Sequence, residues 1–360
     1  LLALRRCYSK YSIQTYLNDT ISLIHSLNLY PKKRHVLLIF DWRFKFYYQS
    51  QYQMIRQEFP QIISSSFEDF NKDCEFAVPY GNNYDYSFFY DDSSDNDRTN
   101  LRRRIHYNRH IDDGKYLIPV LRNDSTSSSS SYESFMKRKI FVQFTGTVDS
   151  RHSYRDRYFL FNNSNSFFHK SFVQPVWMTT SSTTNHWLTK RNFIAPAVDG
   201  CRMNSSIDYY IENIEKYSNT FNRCRKSLNR LESQLIRENS KFSLCFRGDT
   251  LGSDCWINSI LAGSIVVAIA DSIDDAILWT PFKDIIPWSD MIIVMSREKY
   301  YENPIESINK LAEIPREEIH EKLTLMNKHA LDLSFISPNS RLVDNLISSA
   351  SKAYCSYGTN

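Results

Sequence analysis

Apolar runs and helically spaced apolar positions alternate most clearly between Lys241 and Met295. Phe242 to Phe246 is an apolar run of the right length for a buried strand. Arg247-Gly248-Asp249-Thr250-Leu251-Gly252 breaks the run, and Ser253 and Asp254 are residue types that cap helix N-termini. Trp256, Ile257, Ile260 and Leu261 then recur at helical spacing as far as Ala262. Gly263 predicts the helix stop, and Ile265 to Ile269 reads as a second buried strand ending at Asp271. Strand, glycine turn, helix and strand make one right-handed crossover unit. Cys245 and Cys255 fall in the strand and the helix of that unit, and both read as core residues rather than bonded partners.

The rest of the pattern is of the same α/β kind. Ile13 to Leu27 predicts an amphipathic helix, and His35 to Phe40 a strand that ends in Asp41-Trp42. Asp73 to Tyr80 predicts another strand. Lys139 to Thr147 predicts a strand running into a glycine turn at Gly146-Thr147. Asp149, Ser150, Arg151, Tyr154 and Arg155 then read as a helix start, with Arg151 and Arg155 on one helical face. Ile207 to Arg237 reads as helix from Tyr210, Ile214, Tyr217, Phe221, Leu228, Leu231 and Leu235. Pro304 to Leu333 predicts two helices, the second starting at Pro315-Arg316-Glu317-Glu318. Asn123 to Ser134 is nearly all serine and threonine and reads as a flexible linker. Phe161 to Trp187 sets apolar islands among polar patches and reads as insertions decorating the sheet.

Chemistry concentrates at the turn of the crossover unit. Unpaired N–H groups at a helix N-terminus favour an anion, and Arg247 adds a forked cation suited to phosphate. The chain has 8 glycines, and Gly248, Gly252 and Gly263 all fall in this unit, which indicates a backbone requirement. The same local pattern also describes an ordinary crossover whose glycines only make turns. Composition narrows the classes further. At 360 residues there is chain enough for two domains with separate cores, and a net charge of +4 with interspersed signs does not describe a nucleic-acid binder. Asp95-Asn96-Asp97 lies in a polar context without the residues that complete a cation loop, so no metal is expected. Leu101 to Arg109 carries Arg102, Arg103, Arg104 and Arg109, a solvated turn answering the acidic loop or a face for an acidic glycan. The cysteines (7, 74, 201, 224, 245, 255 and 355) have no metal spacing. No segment is long and apolar enough to span a bilayer.

The stretch also resembles the donor-binding segment of the exostosin-type glycosyltransferases. Ser240-Lys241-Phe242-Ser243-Leu244-Cys245, Arg247-Gly248-Asp249-Thr250, Ser253 and Ala262-Gly263-Ser264-Ile265-Val266-Val267 follow that family's order and spacing. Pro281-Phe282 and Ile286-Pro287-Trp288-Ser289 are similar to the segment that comes next. Asp41-Trp42, Asp73 to Tyr80 and Lys139 to Thr147 resemble its other strand ends. The resemblance implies two Rossmann-like doubly wound α/β domains facing a cleft, the GT-B architecture. Residues 1–135 would form an acceptor-side domain, 136–345 a nucleotide-sugar domain, and 346–360 a tail. It implies inverting transfer from a nucleotide-diphosphate donor, a UDP-sugar foremost, to a glycan or glycoprotein acceptor. Gly146, Thr147, Arg151, Arg155, Arg247, Gly248, Asp249, Thr250, Gly252, Ser253 and Asn258 would hold the donor, with Asp41 the candidate base. A Golgi or endoplasmic reticulum lumen, an N-terminal membrane anchor upstream of this chain, and homo- or hetero-oligomers with a related transferase follow from the same family. Sequons at Asn18, Asn123, Asn162 and Asn204 are compatible with a lumenal address.

The chain departs from that pattern at two positions. The family's arginine after the helix-start serine is replaced by Asp254-Cys255, and an acidic residue that binds ribose hydroxyls is replaced by Asn258. Those departures leave open an inactive relative that binds glycan or a partner transferase. The crossover unit alone also fits another sugar-nucleotide or phosphate-binding enzyme. Arg247→Ala is expected to weaken nucleotide-diphosphate binding by about 1.5–3 kcal/mol, and Arg102→Ala by much less. Equal losses in calorimetry remove Arg247 from the site.

Overall fold

The computed structural model describes residues 2–4, 22, 36–39, 50, 53, 61–64 and 75–77. From there it describes 128–146, 148, 154–162, 172–180, 207–215, 228, 230–247, 254–278, 280–334 and 339–352. Two parallel sheets are present. Strands β1 (Leu2–Leu4), β2 (Val36–Ile39), β3 (Gln61–Ser64) and β4 (Glu75–Ala77) form a four-stranded sheet in the order β1-β2-β3-β4. β2 and β4 lie where the apolar runs predict strands. β1 and β3 are additional, too short to give a period in the sequence.

The second sheet has five strands, β5 (Ile140–Gly146), β6 (Val176–Thr180), β7 (Ser240–Leu244), β8 (Ile265–Ala270) and β9 (Ile293–Ser296). Every neighbouring pair is parallel, in the order β6-β5-β7-β8-β9. β8 is buried along its whole length and pairs Phe242 with Ile265 and Leu244 with Val267. That double-sided burial explains why it reads as a continuous apolar run rather than an alternation. β6 overturns the reading of residues 161–187 as decoration. Its apolar island is an edge strand of the sheet, with Trp177 fully buried beside Gln143.

The helices are α1 (Ser128–Met136), α2 (Arg155–Asn162), α3 (Ile207–Glu212), α4 (Arg230–Glu238) and α5 (Asp254–Leu261). They continue with α6 (Ile273–Ile277), α7 (Trp288–Met291), α8 (Arg297–Glu302), α9 (Pro304–Asn309), α10 (Arg316–Leu333) and α11 (Leu342–Lys352). The linker predicted over 123–134 is instead helical from Ser128. Its helix buries Phe135 edge-on against Phe242, at 5.7 Å between ring centroids, and Arg316 of α10 lies 4.6 Å over the Tyr132 ring. Two aromatic anchors one turn apart override the weak propensity of the serines. Within the helix predicted over 207–237, α3 and α4 are helical, and residues 216–227 lie outside the described residues. The predicted helix at 13–27 lies outside the described residues except for Ser22, which is helical. Among the described residues, no helix is long and apolar enough to cross a membrane.

Gly263 ends α5 as its position predicts. Its φ is 72°, its N–H donates to Ile260 O at 2.9 Å, and Ser264 N–H donates to Ser259 O at 2.8 Å. These two bonds are a Schellman closure, which needs a residue free to take positive φ. Phe282, in the Pro281-Phe282 motif, also has positive φ, at 52°. For a bulky residue that conformation costs about 1–2 kcal/mol. Burial of the ring and the 2.7 Å bond from Trp288 Nε1 to Pro281 O offset it.

Charged groups pin the periphery of this core. Arg138 donates to Ser240 O at 2.8 Å and to Ala262 O at 2.9 Å, joining the start of β7 to the end of α5. Lys322, buried on α10, donates to Asp290 O and Ile292 O ahead of β9. At the other end of α10, buried Asp332 receives Arg341 through both carboxylate oxygens, at 2.7 and 2.8 Å, with Asn345 and His329 completing its shell. Burial pushes the Asp332 carboxyl up, but the hydrogen bonds from Arg341, Asn345 and His329 outweigh it and hold it below the ordinary carboxylate range. A depressed folded value stabilises the fold above about pH 4, and that contribution is lost as pH falls through the folded value. Asp332→Asn should therefore lower unfolding free energy by about 2 kcal/mol at neutral pH, with the difference shrinking toward pH 3. Urea titrations of both proteins at the two pH values test this; a difference independent of pH removes the carboxylate's charge from the account.

Candidate functional site at the carboxyl edge of the second sheet

The order β6-β5-β7-β8-β9 sets the location of the site. Counting the strands of this sheet in sequence, the order is second, first, third, fourth, fifth. Chain connections leave β5 and β7 toward opposite sides, which opens a crevice beyond their carboxyl ends. Ligands of doubly wound sheets bind at such a switch point. Gly146 ends β5 there, and Cys245, Phe246 and Arg247 follow β7.

The core beneath these strand ends is aromatic. Phe144 and Phe246 meet edge-on at 5.1 Å, Phe246 meets Tyr300 at 5.8 Å, and Phe159 packs on Tyr300 and Tyr301. Gly146 sits tightly against these rings. A Cβ there would lie 3.1 Å from the Phe144 ring and 3.6 Å from Arg157 Nη1.

Arg157 is the residue that the sequence pattern did not single out. It leaves the first turn of α2, donates from Nη2 to Phe246 O at 3.0 Å, and stacks 4.7 Å over the Tyr154 ring. One guanidinium therefore ties the helix after β5 to the end of β7. The available signal was the spacing of Tyr154 and Arg157, one helical turn apart, directly after a glycine-ended strand.

The neighbouring Asp156 faces the other way. Its side chain is buried, Oδ1 accepts from Tyr301 Oη at 2.6 Å, and its backbone O accepts from Tyr300 Oη at 3.1 Å. Arg297, at the start of α8, lies 3.7 Å from the same carboxylate and pairs with Asp271 at the end of β8. Burial, and then the bond to Asp156, push the Tyr301 phenol well above its usual range, so it donates at any physiological pH. The carboxyl ends of β8 and β9 and the first turn of α2 are thus held in one network.

The expected site residues fall into four groups. Gly146 ends β5 at the switch point, and half-buried Arg247 follows the end of β7. Arg155 is the first residue of α2, with its side chain 44% exposed and 3.7 Å from the Asp156 carboxylate. The helix is described from Arg155, and the residues from Asp149 to Ser153 where its start was read lie outside the described residues. Asn258 is buried on α5 and donates from Nδ2 to Asp254 O at 2.9 Å, while Asp254 itself is exposed at the helix start. Asp41, Thr147, Arg151, Gly248, Asp249, Thr250, Gly252 and Ser253 lie outside the described residues.

One expectation for this region is overturned. Cys245 and Cys255 form a disulfide, with Cα atoms 5.6 Å apart, rather than sitting as two core thiols. Strand end and helix start approach closely in a tight crossover, which brings residues ten apart in sequence within bonding reach. Among the described residues, no group of three or more histidine, cysteine or acidic side chains could hold a metal ion.

No protein-family model matches the chain, and no curated protein matches it in sequence. Solved structures with a similar course include the Candida albicans trehalose-6-phosphate phosphatase N-terminal domain. It is 11% identical at a TM-score of 0.43, over 93% of this chain and 74% of that one. A Burkholderia xenovorans α,α-trehalose-phosphate synthase (UDP-forming) in complex with glucose-6-phosphate is 8% identical, with a TM-score of 0.44 over 95% and 79%. The catalytic domain of Arabidopsis thaliana starch synthase IV bound to ADP and acarbose is 11% identical, with a TM-score of 0.41 over 96% and 78%.

Arg157→Ala removes both the bond to the Phe246 carbonyl and the stack on Tyr154. It should lower unfolding free energy by about 1–2 kcal/mol in denaturant titrations. A change below about 0.5 kcal/mol would show a solvated guanidinium that ties nothing together.

Proposed function

We propose that this chain transfers a sugar from a nucleotide-diphosphate donor to a glycan or glycoprotein acceptor, with inversion at the anomeric carbon. The observation that carries the reading is the switch point. It brings Gly146 and Arg247, which resemble the donor-binding positions of exostosin-type glycosyltransferases, to one edge of one parallel sheet. That is the place where the doubly wound fold binds phosphate-bearing ligands.

In this reading the acceptor hydroxyl attacks the anomeric carbon, the bond to the diphosphate breaks, and a base takes the hydroxyl proton. Stabilising the departing diphosphate is the largest task. Arg247, with Arg155 and Arg151, supplies positive charge there, and the start of α5 supplies N–H donors. Gly248, Asp249, Thr250, Gly252, Ser253 and Thr147 belong to the two turns around the donor. Asn258 is proposed for a ribose hydroxyl, and Asp41 as the base. A UDP-sugar is the donor we favour.

The reading has the chain fold as two Rossmann-like domains about a cleft. The reading divides them at residue 135, with 136–345 as the nucleotide-sugar domain. Residues 346–360 are the tail. The Cys245–Cys255 disulfide supports an oxidising compartment, consistent with a Golgi or endoplasmic reticulum lumen and an anchor upstream.

Thermal-shift titration with UDP and GDP tests the reading. Ligand at about a hundredfold its Kd should stabilise the fold by about 2.7 kcal/mol. If neither nucleotide raises Tm, the chain does not hold a diphosphate donor. Asp254→Arg replaces an exposed anion at the start of α5 with a cation. It should tighten UDP binding about tenfold or more, most at low salt. Unchanged binding across salt places the 254 side chain away from the diphosphate.

A further inference from the structure

Strands β8 and β9 end together. Ala270 pairs with Ser296, so the next residue of each, Asp271 and Arg297, stand side by side past the carboxyl edge of the sheet. Arg297 donates from Nη1 to Asp271 Oδ2. The two side chains differ in exposure, 15% for Arg297 and 63% for Asp271. Arg297 is held from the interior. Its Nε lies 3.7 Å from Oδ1 of buried Asp156, and Tyr300 and Tyr301 of the same helix donate to Asp156 O and Oδ1 at 3.1 and 2.6 Å. Among the described residues, buried Arg297 Nε and Asp156 Oδ2 have no hydrogen-bond partner. Such groups cost stability, and a fold retains them where they fix a functional side chain. An ion pair with one partner as exposed as Asp271 adds little to stability, so holding the strands together does not account for the arrangement.

We propose that Asp271 and Arg297 form a recognition site for a vicinal pair of sugar hydroxyls, with Asp156 as the buried positioning residue. With Oδ2 bonded to Arg297, Asp271 Oδ1 accepts from one hydroxyl. The guanidinium has N–H donors beyond the one given to Asp271, and one of these donates to the neighbouring hydroxyl. Acceptor and donor thus stand next to each other, as two adjacent hydroxyls require. The surrounding charge selects hydroxyls over a phosphate. Asp274 and Asp275 in the first turn of α6 and Glu298 on α8 are exposed and outnumber Lys299, which disfavours an added anion and leaves a neutral group unaffected. Assigning the hydroxyls to the ribose or the transferred sugar of a nucleotide-diphosphate donor rests on the function proposed above; hydroxyl recognition itself does not.

Calorimetry and saturation-transfer NMR on the full chain test this with UDP, deoxy-UDP, UDP-glucose and methyl α-glucoside. Asp271→Ala should weaken the probe whose hydroxyls it holds about tenfold or more, and Asp271→Asn, which keeps a neutral acceptor, by less. The loss should be the same at low and high salt, because no ligand charge is involved. A ribose pair gives a loss for UDP and none for deoxy-UDP. A pyranose pair gives a loss for UDP-glucose with UDP unchanged. If methyl α-glucoside alone responds and UDP binds neither protein, the hydroxyl site stands and the nucleotide-donor function falls. If UDP binds and no probe distinguishes Asp271→Ala from the wild type, the hydroxyl site falls and the donor function stands. Equal losses for every probe mark a structural role and overturn the proposal, as does a wild-type chain that binds none of the four.

Discussion

The pairing of β5 with β7 is the contact on which the rest of the described structure depends. Val142 pairs with Phe242 and Gln143 with Ser243, although these strands are a hundred residues apart in the chain. Inserting β7 beside β5 forces β6 to the far edge and reverses the direction in which strands are added. The switch point at the carboxyl edge exists because of that reversal, with Gly146 ending one strand and Phe246 and Arg247 following the other. Loop-closure entropy grows only slowly with loop length, so a long intervening chain does not prevent the pairing.

What holds the pairing is mixed in character. Val142 and Phe242 are buried in the main apolar core, and Phe141 meets Phe242 edge-on at 5.5 Å. Between them runs a polar row in which Gln143 Nε2 donates to Ser243 Oγ at 2.9 Å, and Ser243 lies 2.8 Å from Ser264 Oγ. A row of hydrogen bonds from two buried strands to the residue ahead of β8 selects register, since a slipped strand would leave those hydroxyls unpaired in an apolar interior. Apolar burial supplies the free energy and the polar row supplies the alignment.

At the carboxyl edge the same division appears on a larger scale. Aromatic rings from β5, α2, β7 and α8 seal the core, and above them Asp156, Arg157, Asp271 and Arg297 join strand ends that are distant in sequence. Asp156 and Arg157 are adjacent in the chain yet turn to opposite sides. One ties α2 to α8, the other ties it to β7. The first turn of α2 is therefore fixed from two directions, which is the preorganisation a binding site requires.

Local pattern alone determined the strong elements here. The continuous apolar run of β8, the helical spacing and glycine stop of α5, and the proline-led start of α10 are each dictated by steric and burial rules within a few residues. Gly146 and Arg247 were legible as site candidates for the same reason, because a strand end followed by a glycine or a cation is a local feature. Tertiary structure decided the rest. The serine-rich stretch before Phe135 has no helical signal of its own and is helical because its aromatics pack on Phe242 and under Arg316. β6 becomes a strand because β5 offers it an edge, and the Cys245–Cys255 bond forms because a crossover returns the chain to within reach of itself. The partners of Asp156 and Arg157 come from strand and helix ends far along the chain. No periodicity in a single sequence encodes contacts that only the strand order creates.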